Sequence, residues 1–169
     1  MPGWFERHFE NMRRYDHLMA VGVIVGTGSY GSITKALTGG AGINFTPSQK
    51  DLATMRRGLR LLGEILFDAG AKRVMLNAWD YVEMASADEL GKLDPVVANS
   101  DNITLGTGHP QGGNPIGLNP KTSVVDPDFK VHGYSNLHVC DASVFPSSLT
   151  VNPQLTVMGL AHYAAQRIA

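Results

Sequence analysis

Val23-Ile24-Val25-Gly26-Thr27-Gly28-Ser29-Tyr30-Gly31 is the stretch on which the fold turns, because it sets a G-x-G-x-x-G pattern directly after an apolar run. Such glycines mark a dinucleotide-binding turn only when they open a helix long enough to cross back over a sheet. Here Ser32 to Leu37 runs at once into Thr38-Gly39-Gly40-Ala41-Gly42, which ends any helix after about two turns. The pattern therefore reads as a glycine-rich bend between antiparallel strands, and the β-branched run from Leu18 to Val25 reads as the strand before it.

Outward from the bend, Gly42 to Phe45 reads as a short strand leading into the strongest helix signal in the chain. Thr46 is placed as N-cap, Pro47 at the first helical position and Gln49 as the far side of a capping box. Leu52, Met55, Leu59, Leu62, Leu66 and Ala69 recur at helical spacing, while Lys50, Arg56, Arg57, Arg60 and Glu64 fall mostly on other faces, read as solvated. The helix is expected over 47–69, with Gly70 as its C-terminal cap, and it would cover one face of a sheet. On the near side, Phe5 to Tyr15 is either a short helix or a surface segment. Beyond the long helix come a strand over Arg73 to Trp79, a short helix after Ser86, an irregular stretch over 94–102, and a brief strand at Ile103 to Leu105. Trp79 and Tyr81 are candidates for an aromatic wall or equally for the core.

Composition limits what the chain does. Of 169 residues, 43% are hydrophobic and 17% charged, and no apolar run approaches the roughly 20 residues of a membrane helix. A net charge of -1 with the signs interspersed supplies no basic field for nucleic acid. Cys140 is the only cysteine, so neither an internal disulfide nor a multi-cysteine zinc site is available. His109, His132 and His138 match no tight metal-ligand spacing, and no metal site is assigned. The residues from Met1 to Asp16 contain no apolar core segment and do not read as a secretory signal, and the address is left unassigned. The start at Met1-Pro2-Gly3-Trp4-Phe5 leads straight into dense mixed sequence, as expected of a piece of a longer protein.

Three segments carry candidate chemistry. In Gly106 to Gly117, His109 stands among Gly106, Gly108, Gly112 and Gly113, with Pro110 fixing the backbone after it. An imidazole on such an accessible loop suits general-base work near neutral pH, although a lone loop histidine is more often solvated and inert. Leu137-His138-Val139-Cys140 reads as a strand that delivers Asp141-Ala142-Ser143, where the carboxylate either faces a ligand or caps the turn. Asn152 as N-cap and Pro153 at N1 open a helix whose Leu155, Val157, Met158, Leu160, Ala161, Ala164, Ala165 and Ile168 form a broad apolar face. Buried, its N-terminus would favour negative charge placed against it.

Taken in order, these segments resemble the C-terminal part of the glucose-methanol-choline (GMC) oxidoreductases, which share a histidine in a glycine-rich loop, a strand into an Asp-Ala-Ser or Asp-Gly-Ser turn, and an Asn-Pro or Ser-His element opening the last helix. The specific likeness covers 106–169. It implies an α+β fold: an antiparallel-sheet substrate lobe with a covering helix over 1–116, and over 117–169 the C-terminal strand and helix of an FAD-binding lobe, an incomplete Rossmann-like domain. It implies FAD as cofactor and an alcohol or sugar as substrate. His109 would take the hydroxyl proton while hydride leaves for the flavin, and Asn152 would hold the same oxygen. Asp141 and Ala142 would meet the ribityl-pyrophosphate region, and Asn152, Pro153 and Gln154 the pyrimidine edge of the flavin. The N-terminal FAD-binding half is expected from elsewhere, upstream or on a second chain. The alternative is a non-catalytic fragment or accessory chain that folds only with a partner.

Overall fold

The computed structural model describes residues 3–37 and 39–168. Met1 and Pro2, part of the abrupt start, Thr38, part of the glycine-rich stop, and Ala169, the end of the resemblance, lie outside the described residues. Two units, 1–105 and 106–169, divide the chain.

In the first unit, α1 (Phe5–Met12) is followed by an irregular path up to β1 (Ser32–Lys35), which pairs antiparallel with β2 (Ala41–Asn44). The run from Leu18 to Val25 is not a strand, correcting that expectation. Apolar β-branched residues make a strand only where a neighbour completes the ladder, and this run has none. The glycine pattern leads into β1 and so opens no helix. Its Thr27 and Ser29 instead serve the next element. Both donate their hydroxyls to Asp51, at 2.9 and 2.7 Å, as does Ser48 at 2.7 Å.

That carboxylate defines the start of α2 (Gln49–Asp68). Ser48 is the N-cap and Asp51 closes the capping box, displacing the expected Thr46 and Gln49 pair by two residues. The reason lies in the donors: Ser48 N–H and three hydroxyls converge on one buried carboxylate, which Gln49 could not match. Bonding from Ser29 and Ser48 holds Asp51 far below the usual carboxylate range, against the opposing effect of burial. At the other end Gly70 stands at φ +94°, with its N–H on the Phe67 carbonyl and Ala71 N–H on the Leu66 carbonyl at 2.9 Å each, a Schellman cap.

Helix α2 packs on a small second sheet and a helical turn. β3 (Val74–Leu76) pairs antiparallel with β4 (Val82–Met84). A 3-10 segment, 87–92, then passes into α3 (Leu93–Val97), where an irregular stretch was expected from Asp94. Ser86 makes no side-chain cap; the Glu89 carboxylate accepts from Ala85 N–H instead, at 2.8 Å. Leu52, Ala78, Val96, Val97 and Ile103 form one core cluster, and Met84, Leu90 and Leu93 another, with Leu59 touching both. The segment Ile103 to Leu105 contributes only a bridge from Ile103 to Ala78. Arg60 and Arg56, expected on a solvated face, both pair with Asp94, so this part of the face ties α2 to α3.

The second unit holds little regular structure before α4 (Gln154–Ile168). Bridges at Ile116 with Val125, Val125 with Val131, and Lys130 with His138 stand in for strands, including the one expected over Leu137 to Cys140. Val125, Phe129, Val144, Phe145 and Ala164 are its buried core. Tyr163 meets Phe129 edge-on at 6.1 Å, and Arg167 lies over the Tyr163 ring and pairs with Asp128. The mixture of helices with small antiparallel sheets agrees with the α+β expectation.

Candidate active site

Every residue given a catalytic or cofactor role from the sequence lies in the second unit. His109 sits on an exposed loop, its backbone N–H donating to Thr107 Oγ1 at 3.0 Å. Among the described residues its ring has no hydrogen-bond partner and is open to a ligand. After Pro110 the chain turns at Gly112 and Gly113, whose φ values of +80° and +109° favour glycine. It then runs along the Asp141 turn in three backbone bonds: Gly112 N–H to Ala142 O at 3.1 Å, Asn114 N–H to Ser143 O at 2.9 Å, and Ile116 N–H to Val144 O at 3.1 Å. Asn114 Nδ2 adds a bond to Ser143 Oγ at 2.9 Å. The histidine loop and the Asp-Ala-Ser turn are thus one object, joined in parallel.

Asp141 caps the 3-10 turn over Ala142–Val144, accepting from Ser143 N–H at 2.8 Å. Bonding to Ser143 holds its carboxyl below the usual range. The side chain is exposed, so it serves the turn and still has acceptor capacity for a ligand. Ala142 is half-buried, and its carbonyl is occupied by the Gly112 amide.

Asn152 and Pro153 are one position away from their expected places. Helix α4 begins at Gln154, and the first bond of its ladder, Val157 N–H to Pro153 O at 2.8 Å, puts Pro153 at the cap and Asn152 outside it. The physical reason is that the proline carbonyl starts the ladder while its ring leaves no N–H to satisfy. Asn152 is consequently freed from capping; it is exposed, and among the described residues its amide has no protein partner. The amides of the first turn, from Gln154 onward, have no intrahelical acceptor. The structure records no bond between His109 and Asn152, but it does tie their segments: Gln111 Oε1 accepts from Leu149 N–H at 3.1 Å.

Gln111, Asn114 and Ser143, which hold this arrangement, were not singled out by sequence reasoning. Their only local signal is amide and hydroxyl side chains in otherwise small-residue segments. His132 and His138 are elsewhere: His132 Nε2 lies 3.0 Å from Ser123 Oγ and 3.1 Å from Gly117 O, a half-buried staple, and His138 forms a bridge with Lys130. Among the described residues no group of histidine, cysteine and carboxylate side chains could hold a metal ion. No helix among them is long and apolar enough to cross a membrane. Trp79 and Tyr81 belong to the first unit. There Trp4 stacks on Trp79 at 5.5 Å, Arg7 lies over the Tyr81 ring, and a 490 Å³ groove runs along Trp4, His8, Asn77, Trp79 and Thr104.

The residue pattern of the GMC oxidoreductases matches residues 40–161. The dehydrogenase str4 of Strobilurus tenacellus is 32% identical over 137 residues, 74% of this chain and 22% of that protein. A long-chain-alcohol oxidase of Arabidopsis thaliana is 30% identical over 143 residues, 75% of this chain and 19% of that protein. The crystal structure of pyridoxine 4-oxidase from Mesorbium loti superposes with a TM-score of 0.56 at 24% identity, covering 84% of this chain and 28% of that one. The chain spans 19–22% of the length of these two curated relatives. With the family pattern running through both units, the chain belongs to the GMC oxidoreductase family.

Proposed function

We propose that this chain supplies the catalytic end of an FAD-dependent oxidoreductase that removes hydride from the CH-OH group of an alcohol or sugar. The carrying observation is the laying of the His109 loop along Ala142–Val144 with a tie onward to the segment that ends at Asn152. This arrangement supports one site built from all three segments. In it His109 accepts the hydroxyl proton, an exposed imidazole suited by its ordinary chemistry to the task. Asn152, free of capping duty, donates its amide to the same oxygen and fixes the carbinol carbon in line for transfer.

The donor set fits a flavin. The first-turn amides of α4, a 15-residue helix, present partial positive charge to an electron-rich ring edge. The Asp141 carboxylate offers acceptors to ribityl hydroxyl groups, and Ala142 adds a side chain small enough for close approach. Pro153 contributes shape, and Gln154 the first helical amide. FAD, when bound, supplies the hydride acceptor. In this reading 1–116 is part of the substrate lobe and 117–169 the return segment of the FAD-binding lobe. The adenosine end of the site comes from sequence outside this chain.

The test is His109→Ala and Asn152→Ala in the flavin-loaded holoenzyme, with dodecanol and choline as alcohols. His109→Ala should slow flavin reduction by about 100-fold or more while flavin stays bound. Undiminished reduction in that variant would remove His109 from the mechanism.

A further inference from the structure

The Asp141 turn is fastened to the histidine loop by three backbone bonds, but the segment 146–152, which delivers Asn152, is fastened differently. Among the described residues, the only hydrogen bond that joins it to another part of the chain is the one from Leu149 N–H to Gln111 Oε1, at 3.1 Å. Gln111 lies two residues after His109, separated from it only by the φ-restricted Pro110, and two glycines in the left-handed region follow it. Its side chain is half-buried, and so is Leu149, which packs against the core of Phe129, Val144 and Phe145. From Leu149 to Asn152 is three residues, a reach of at most about 10 Å. One amide therefore spans the loop that carries the base and the segment that carries the oxygen-holding group.

Resting on the reading of His109 and Asn152 above, we infer that Gln111 is a positioning residue that sets the separation of those two groups. It acts by accepting the Leu149 amide, so that the loop and the helix entry hold one geometry while the substrate oxygen sits between them. Without the acceptor, Leu149 N–H turns to water and the 146–152 segment is held only by apolar packing, which is not directional.

Gln111→Met keeps length and volume and removes the strong acceptor; Gln111→Glu keeps both shape and acceptor. Both are made in the flavin-loaded holoenzyme beside His109→Ala, and dodecanol-driven flavin reduction is measured with amide hydrogen exchange over the peptide containing 146–152. The Met variant should reduce its flavin about 10-fold more slowly, with flavin content and melting temperature unchanged, and should exchange faster in that peptide. The Glu variant should recover most of the rate and the slow exchange. Normal turnover in the Met variant, equal loss in both variants, or unchanged exchange would overturn the role of Gln111. Full activity in His109→Ala would instead overturn the reading of the site, and the exchange data would still decide whether Gln111 holds Leu149.

Discussion

Asp51 shows how much one residue can organise. Its carboxylate gathers the hydroxyls of Thr27, Ser29 and Ser48 and the Ser48 amide, so it closes a helix and anchors a glycine-rich segment together. Asp51→Ala should cost about 2 kcal/mol in urea unfolding, the combined loss of a cap and of several charge-assisted bonds. The sign of its pH dependence follows from the lowered folded value. Its contribution is full above the unfolded carboxylate value of about 3.9 and declines as pH falls toward the folded one. Wild type should therefore lose stability below about pH 4 more steeply than Asp51→Asn. Parallel acid curves for the two proteins would show that Asp51 is not the titrating group. By contrast the exposed candidates, His109 and Asn152, carry no structural duty in this chain, and substituting them should leave the unfolding midpoint in place.

At the scale of elements, α2 passes close to the 3-10 segment at Gly63, where an added Cβ would strike the Leu90 side chain. Gly63→Ala gains about 1 kcal/mol of helix propensity but overpacks a buried leucine at a cost of about 1–3 kcal/mol, so it should destabilise. Gly159 in α4 has open space around the same position, and Gly159→Ala should stabilise by about 0.5–1 kcal/mol. Thermal melts of the two variants should move in opposite directions. Elements were legible from sequence where a local pattern suffices. The period of Leu52, Met55, Leu59 and Leu62 located α2, and Gly70 marked its end. The cap was misplaced because Thr46 and Ser48 both begin a capping pattern, and the choice between them was made by Thr27 and Ser29, far away in sequence. The strands expected near Gly42 to Phe45 and Arg73 to Trp79 formed as β2 and β3, but two others failed for a related reason. Leu18 to Val25 and Leu137 to Cys140 have strand composition, but pairing is a property of two segments. The site divided similarly: glycines and prolines revealed its loops, whereas Gln111 and Asn114 act through bonds to residues 38 and 29 positions away, which no local pattern encodes.

For the molecule as a whole, α4 is the telling element. It was expected to be buried, yet Leu155, Met158, Tyr163 and Ile168 are exposed, and only Ala164 is fully enclosed. A chain spanning 19–22% of the two curated relatives named above presents on α4 an exposed apolar surface. Purified alone and mixed with FAD, it should stay colourless after desalting; retained yellow colour would show a self-sufficient flavin site. Cys140 offers a direct view of the same helix. Its thiol donates to the Leu160 carbonyl at 3.7 Å, and burial, then the neighbouring Asp141, pushes its pKa up. The resting sulfur, half-buried beside α4, is thus a sluggish nucleophile, and its reaction with a disulfide reagent should quicken when α4 peels back. As the single cysteine of the chain, it makes labelling kinetics a stopwatch for that opening, with one chemical event per molecule and no engineered probe.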